Sequence, residues 1–228
     1  MNVELAGIIV VDKEKGMTSH DVVAKIRKKF GIKKVGHAGT LDPNATGVLV
    51  VLLGKATKLS NQFLNEDKEY TAQIKLGEKT DSADCDGKII NVRDVNVTPE
   101  DIKAAVFRFT GEIEQVPPMV SAKKINGKKL YKLARKGIEV DRPARKIFIN
   151  RIEITNIDIP LVSFRMECSK GTYVRQIADD IGEELGCGAH LTELRRTRSG
   201  SFSLKNSVKV ANLLTMDKET FYESVIRI

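Results

Sequence analysis

The hydrophobic and polar positions along the chain predict strands of two kinds. Two apolar runs, GIIVVDK at residues 7–13 and VLVVLLG at residues 48–54, show no alternation and therefore predict strands that are buried on both faces. Alternation of apolar and polar residues in KEYTAQIKLG and GKIINVRDV predicts half-buried strands. Further strands are predicted in ARKIFINRIEIT, LVSFRMECS and HLTELRRTRSGSFSL.

Apolar residues at helical spacing predict the helices. In KGMTSHDVVAKIRKKFG a helix is predicted from about His20 to Phe30, with Thr18 or Ser19 as its N-cap and Gly31 as its stop. TPEDIKAAVFRFTG predicts a second amphipathic helix that stops at Gly111. Other helices are predicted in KATKLSNQFL, in LYKLARK at residues 130–136, and in GTYVRQIADDIGEELGCG, SVKVANLL and DKETFYESVI.

The order of these elements predicts the fold class. Strands and helices are mixed without strict βαβ alternation, which is typical of an α+β fold with a central mixed or mostly antiparallel sheet and flanking helices. The 228 residues are 41% hydrophobic and 30% charged, so the chain is able to bury a sizeable core. We expect one domain that spans residues 1–228.

The formal net charge of +8 is concentrated in two basic zones. The first, residues 119–151, contains eleven Lys or Arg and only two acids, and the second, residues 195–209, contains five Lys or Arg and no acid. A solvated charged face is the simplest reading of one such run. Two zones with almost no acid favour a polyanionic partner such as nucleic acid. Because the chain has no Trp and only 5% aromatic residues, an aromatic platform for single strands is not expected.

Several other functional classes are excluded by the sequence. No apolar run approaches the roughly 18 to 20 residues that cross a bilayer, and the N-terminus lacks a signal-peptide pattern, so we expect a cytoplasmic protein without a membrane partner. Three widely spaced cysteines, Cys85, Cys168 and Cys187, are typical of reduced thiols. The calcium-loop, zinc and nucleotide-binding motifs are incomplete or absent, so we expect neither a metal nor a cofactor.

The loop GHAGTLDPNATG, residues 36–47, is the strongest candidate for a site. Its three glycines allow the backbone to approach a ligand closely, and its one carboxylate, Asp42, lies near His37. Taken alone, Asp42 followed by Pro43 is most simply a turn initiator.

Six segments of the chain carry a family resemblance. In order, they are VVDKEKGMTSHDVV, KVGHAGTLDPNATGVL, KEYTAQIKLGEKTDSADCDG, VPPMVSAKKINGKKLYKLAR, KGTYVRQIADDIG and GAHLTELRRTRSGSF. In this order they resemble the TruB-type tRNA pseudouridine synthases, which isomerise uridine 55 in the T loop of tRNA. The resemblance runs from about Gly7 to Phe202 and implies the pseudouridine synthase catalytic fold.

The resemblance implies a nucleophile and its counter-charge. Asp42 corresponds to the nucleophilic aspartate of the family, and Arg175 to an arginine beside it that favours the ionised carboxylate. The reaction detaches uracil from C1′ at N1, rotates it and rejoins it through C5, so no cofactor is needed. Whether Asp42 adds to the base or assists its departure from the ribose stays open.

The resemblance also implies how substrate is held. The target nucleotide must be flipped out of the T loop. Tyr70 corresponds to the residue that stacks on the flipped base, Tyr173 to a further ring contact, and Leu194 to an apolar pocket wall. His37 corresponds to the histidine that enters the vacated space. Lys13 belongs to a segment that supports the active-site loop, in which Glu14 replaces the usual proline.

The first basic zone, at about residues 119–146, corresponds to the family's thumb insertion, which is expected to clamp the T arm of tRNA through phosphates. Many relatives continue into a C-terminal domain of the PUA type, which we do not expect in this chain. We expect a monomer that needs no protein partner. Two alternatives stay open: a non-catalytic chaperone for tRNA folding, and a guide-RNA-dependent pseudouridine synthase.

Overall fold

The protein is described by a computed structural model that covers residues 6–121, 124–125, 127–130, 133, 137–138 and 140–228. The chain forms two compact units. The first comprises Met1–Thr71 and Leu194–Ile228, and the second comprises Ala72–Glu193. The expectation of a single catalytic domain stays a prediction.

The first unit contains both of the strands that were predicted to be fully buried. Its elements before residue 72 are β1 (Ala6–Lys13), α1 (Ser19–Phe30), β2 (Val35–Ala38), β3 (Thr46–Gly54), a 3₁₀ turn (Lys55–Leu59), α2 (Ser60–Leu64) and the start of β4 (Lys68–Leu76). The apolar residues of β1 and β3 are almost completely buried, as their lack of alternation predicts.

The elements that follow β4 along the chain, up to Glu193, form the second unit. Its elements are β5 (Glu78–Thr80), β6 (Ile89–Val92), α3 (Pro99–Phe107), β7 (Gly111–Gln115), β8 (Lys124–Ile125), β9 (Lys128–Lys129), β10 (Arg145–Asp158), β11 (Leu161–Cys168), α4 (Val174–Glu184) and the start of β12 (Ala189–Ser199). Strands β4, β11, β10 and β7 are neighbours in that order.

The C-terminal segment completes the first unit. It continues from β12 into β13 (Phe202–Ser203), a 3₁₀ turn (Leu204–Asn206), β14 (Val208–Lys209), α5 (Val210–Thr215), α6 (Lys218–Glu223) and β15 (Ile226–Arg227). Strand β1 pairs antiparallel with β3 and β15 and parallel with β14, while β3 pairs parallel with β12 and antiparallel with β2. The sheet is therefore mixed, and the predicted α+β class is confirmed.

Helix α1 begins and ends where its sequence predicts. Thr18 and Asp21 form a capping box, in which the Asp21 N–H donates to Thr18 Oγ1 and the Thr18 N–H donates to Asp21 Oδ2. Gly31 ends the helix in the left-handed region, with φ of 70°. On its buried face, Phe30 stacks on Phe221 of α6 with ring centroids 3.7 Å apart.

Two predictions for the second unit are wrong in detail. GKIINVRDV forms strand β6, but its side chains are exposed, Val92 by 70%, because β6 pairs only with β5 in the part of the chain that the structure describes. Helix α3 ends at Phe107 rather than near Gly111. The Thr110 N–H donates to the Phe107 carbonyl in a tight turn, and Gly111, with φ of 96°, begins strand β7.

Only part of the predicted thumb lies within the described residues. Strands β8 and β9 pair antiparallel on either side of Gly127. The helix predicted at residues 130–136 falls mainly outside the described residues and stays a prediction. Each helix within the described ranges is too short or too polar to span a membrane.

Candidate active site

The loop between β2 and β3 presents Asp42 in a tight turn. The Ala45 N–H donates to the Asp42 carbonyl at 3.1 Å, so Asp42 is the first residue of a turn with Pro43 at its second position. The Asp42 side chain is half-buried. Turn formation and a chemical role are therefore compatible at this residue.

Ser19, the first residue of α1, fixes the residue before Asp42. The Leu41 N–H donates to Ser19 Oγ at 2.9 Å, and the Ser19 hydroxyl donates to the Leu41 carbonyl at 3.2 Å. Ser19 is fully buried. This pair of hydrogen bonds ties the start of α1 to the backbone that carries Asp42.

Lys13, at the end of β1, holds the loop from the other side. Its side chain is 0% exposed, and Nζ donates to the carbonyls of Glu14 at 2.9 Å, Met17 at 2.8 Å and Pro43 at 3.1 Å. Burial lowers the pKa of Lys13 to about 8, with the Asp42 carboxylate opposing that change. The attraction is mutual and favours the ionised form of Asp42. The predicted supporting role of Lys13 is compatible with these contacts and stays a prediction.

Arg196 on β12 connects the two ends of the same loop. Its side chain is 1% exposed, with Nε donating to the Val48 carbonyl at 2.7 Å and Nη2 to the Gly39 carbonyl at 3.0 Å. Arg196 was counted within the second basic zone as a candidate for contact with a polyanion. Because its guanidinium is buried among backbone carbonyls, it is instead a structural brace of the loop.

His37 on β2 lies against His20 on α1. His37 Nε2 and His20 Nδ1 are 3.4 Å apart, and the two rings meet edge to face with centroids 5.1 Å apart. Burial is the main reason that the pKa of His37 falls to about 4, and His20 and Arg196 contribute. His37 is therefore neutral at pH 7.

Tyr70 and Leu194 also belong to the first unit. Tyr70 is 9% exposed on β4, which matches its half-buried strand pattern. Leu194 is half-buried on β12, and its carbonyl accepts a hydrogen bond from Thr46 Oγ1 at 3.4 Å. The parallel pairing of β12 with β3 therefore brings Leu194 to the end of the Asp42 loop.

Arg175 and Tyr173 belong to the second unit, at the start of α4. Arg175 is 3% exposed, donates to the Val120 carbonyl at 2.6 Å and has Asp84 Oδ2 at 3.8 Å from its Nη1. Gln115 fixes the backbone of Tyr173, accepting from its N–H at 2.8 Å and donating to its carbonyl at 3.1 Å. The pairing of Arg175 with Asp42 and the ring contact of Tyr173 stay predictions.

Three supporting residues were missed by sequence reasoning: Ser19, Gln115 and Arg196. Each makes its contacts with backbone groups far away in the sequence, and a single sequence carries no signal for such pairings. Arg196 had a weak signal, because it lies in the strand-like segment HLTELRRTRSGSF, where alternation turns some side chains inward.

A third group of cations was also missed, and it lies in the first unit. The segment KIRKKFGIKK, residues 25–34, has six Lys or Arg and no acid. The hydrogen bond from the Gly54 N–H to the Lys34 carbonyl, at 2.8 Å, brings this segment next to the KATK turn that contains Lys58. We call the exposed side chains of Lys28, Lys33, Lys34 and Lys58 the lysine surface.

The described residues contain no group of three or more His, Cys, Asp or Glu side chains placed to hold a metal ion. The acidic loop around Asp84 is instead held by its own hydrogen bonds, including one from Ser82 Oγ to Asp84 Oδ1 at 2.5 Å.

Comparison with known proteins assigns the chain to a family. Residues 27–174 match the N-terminal domain of the TruB family of pseudouridylate synthases, and residues 175–227 match the C-terminal domain of tRNA pseudouridylate synthase B. The chain belongs to the TruB family of pseudouridylate synthases. The resemblance stated from the sequence motifs is thus confirmed.

Curated relatives carry the same family name. The chain is 54% identical to tRNA pseudouridine synthase B of Protochlamydia amoebophila, over 93% of this chain and 81% of the relative. It is 53% identical to tRNA pseudouridine synthase B of Chlamydia felis, over 89% of this chain and 86% of the relative. These matches confirm that the chain is a pseudouridine synthase, an isomerase.

Solved structures confirm the catalytic fold. The chain is similar to one in a Cbf5-Nop10-Gar1 complex, with a TM-score of 0.77 and 34% identity, over 97% of this chain and 60% of that chain. It is also similar to one in an H/ACA RNP bound to a substrate RNA that contains 2′-deoxyuridine, with a TM-score of 0.72 and 30% identity, over 97% and 58%. The chain spans about three-fifths of the length of these solved chains.

Proposed function

We propose that this protein isomerises uridine 55 in the T loop of tRNA, with Asp42 as the nucleophile. The observation that carries the proposal is the rigid presentation of one carboxylate. Ser19, Lys13 and Arg196 hold the loop on both sides of Asp42 through hydrogen bonds to its backbone, so contacts within the protein itself position the turn that carries this carboxylate. Such preorganisation is what a nucleophile needs to act on a bound nucleotide.

The reaction balances without a co-reactant. The bond between N1 and C1′ breaks, the uracil rotates, and a bond forms between C5 and C1′. The proton on C5 is lost and N1 gains one, so there is no net oxidation or reduction. Asp42 provides the nucleophile, and the nearby Lys13 ammonium favours its carboxylate form.

The remaining site residues bind the nucleotide. The target uridine leaves the T loop, the Tyr70 ring stacks on it, and His37 enters the space left behind. Leu194 supplies an apolar wall. The roles of Arg175 as counter-charge and Tyr173 as a further ring contact rest on the family resemblance. The thumb, at about residues 119–146, binds T-arm phosphates.

The test is conversion of an unmodified T-arm minihelix, followed by cyanoethylation and mass spectrometry. We expect wild type to convert one T-loop uridine and Asp42→Asn to bind the RNA without converting it. Asp94→Asn is the matched control, because Asp94 is exposed in the second unit, and it should keep wild-type activity.

Two other results would contradict the proposal. If wild type binds the minihelix and full-length tRNA but leaves every uridine intact, the chaperone alternative replaces it. If conversion requires an added guide RNA or protein, the proposal is replaced by the guide-RNA-dependent alternative. The family and the curated relatives favour activity on free tRNA.

A further inference from the structure

We propose that His20 is a positioning residue, which fixes the imidazole of His37 in the orientation needed to enter the T loop. The inference rests on the proposed function, since it concerns the same site. His20 lies in the first turn of α1, immediately after Ser19, and His37 lies on β2.

The hydrogen bonding of His37 makes its orientation depend on His20. Among the described residues, His37 Nε2 has one hydrogen-bond partner, His20 Nδ1 at 3.4 Å, and the buried His37 Nδ1 has none. The edge-to-face contact, with an angle of 81° between the rings, adds a steric constraint. His20 is thus the one polar anchor of the ring in the described part of the chain.

Burial, together with the charges around the pair, keeps His37 neutral. Burial opposes its protonation first, and His20 on α1 and Arg196 on β12 oppose it further. A neutral imidazole has one N–H and one lone pair, so the contact with His20 selects a tautomer as well as a ring orientation. Asp21, the adjacent residue on α1, has its carboxylate engaged in the N-terminal cap.

The first turn of α1 therefore contacts two parts of the site, the Asp42 loop and His37. Ser19 ties the start of α1 to the backbone next to Asp42, and His20 ties the same turn to His37. The nucleophile and the side chain that replaces the flipped nucleotide are held in register by adjacent residues of one element.

The test is a double-mutant cycle with His20→Ala and His37→Ala, assayed on the T-arm minihelix. Loss of one hydrogen bond that fixes a binding side chain should raise KM about five- to tenfold in His20→Ala, with a smaller change in kcat. In the His37→Ala background, the His20→Ala change should have no further effect, because its target is gone. His20→Asn, which keeps a polar side-chain group, should recover most of the loss.

Three measurements separate a positioning role from general damage to the fold. His20 is exposed, so urea unfolding of His20→Ala should match wild type, and Ala24→Ser, on the exposed side of the same helix, should leave KM unchanged. The chain has only three histidines, so imidazole NMR can follow His37 directly. In His20→Ala its pKa should rise from about 4, because one of the groups that oppose its protonation is removed.

The proposal is overturned if His20→Ala leaves KM unchanged, or if it weakens binding equally with and without His37. The second outcome would mean that His20 contacts RNA itself. Failure of the proposed function is a separate result. If wild type converts no uridine, the NMR titration of His37 in wild type and His20→Ala still tests the positioning role.

Discussion

At the scale of single residues, the feature that most distinguishes this site is a lysine that is buried yet remains a donor to three carbonyls. A buried ammonium is tolerated only when its hydrogen bonds are satisfied, and the carbonyls of Glu14, Met17 and Pro43 use all three of the Lys13 donors. The neutral amine has only two N–H groups. Deprotonation therefore removes one of the contacts that hold the Asp42 loop.

We expect kcat/KM to fall as the pH rises through about 8, where Lys13 loses its proton. The stability should change in the opposite direction. The folded pKa lies below the ordinary 10.5, so between pH 8 and 10.5 the unfolded chain binds more protons and the Lys13 contribution to folding stability rises with pH. Initial rates and urea unfolding across pH 7 to 10 measure the two trends.

Variants at Lys13 test the same point. Lys13→Met should lower the free energy of unfolding by about 2–4 kcal/mol, because three buried carbonyls lose their donor. Lys15→Met, at an exposed position two residues later, should change it by less than about 0.5 kcal/mol. A flat rate profile through pH 9, or equal effects of the two substitutions, would rule out the role given to the Lys13 ammonium.

At the scale of elements, the sequence predicts a strand or helix best where residues within that element determine its structure without contacts to other parts of the chain. The apolar runs of β1 and β3 and the capping box of α1 determine those elements without reference to partners. The exposure of β6 could not be predicted, because alternation indicates a strand but not whether anything covers it. Likewise, Asp42 was predicted as a site residue from its motif, whereas the role of Arg196 in holding the same loop depends on a strand pairing between residues 47 and 196.

The pairing of β3 with β12 predicts that residue 47 tolerates no side chain larger than that of glycine. Its φ is 101°, and a Cβ there would lie 2.2 Å from the Arg196 carbonyl oxygen, so Gly47→Ala must separate β3 from β12. We expect a loss of more than about 3 kcal/mol in the free energy of unfolding, with loss of activity. Gly31 is the matched control.

Gly31 has a similar positive φ of 70°, but a Cβ added there would have no other atom within 4 Å, so Gly31→Ala should lose only about 1 kcal/mol. Urea unfolding gives the free energy of unfolding of both variants. The loss in Gly31→Ala measures backbone strain alone, and the loss in Gly47→Ala measures backbone strain together with steric overlap. Equal losses for the two would mean that the close approach of Arg196 does not constrain residue 47.

At the scale of the whole molecule, the distribution of Lys and Arg along the sequence, which gives a net charge of +8, does not show which cations are available to bind phosphates. The second basic zone offers fewer than its sequence indicates, and the lysine surface offers more. In the second zone, Arg196 is buried and Arg195 pairs with Asp12 at 2.8 Å, so these two charges are committed to the fold. The lysine surface of Lys28, Lys33, Lys34 and Lys58 is different, because all four side chains are exposed and none forms an ion pair with a carboxylate in the described part of the chain. Unpaired exposed cations are the ones available for phosphates.

We therefore expect the lysine surface to contribute to the salt dependence of tRNA binding. Each phosphate contact that is lost should reduce the slope of log K against log salt by about 0.7 to 0.9. The triple variant Lys33→Gln/Lys34→Gln/Lys58→Gln should thus lower the slope by about 2, measured with full-length tRNA and the Asp42→Asn protein so that no turnover occurs. The variant Lys88→Gln/Lys103→Gln/Lys218→Gln removes the same total charge from exposed positions elsewhere. If both triple variants reduce the slope equally, net charge rather than local contact governs binding, and the lysine surface has no specific part in it.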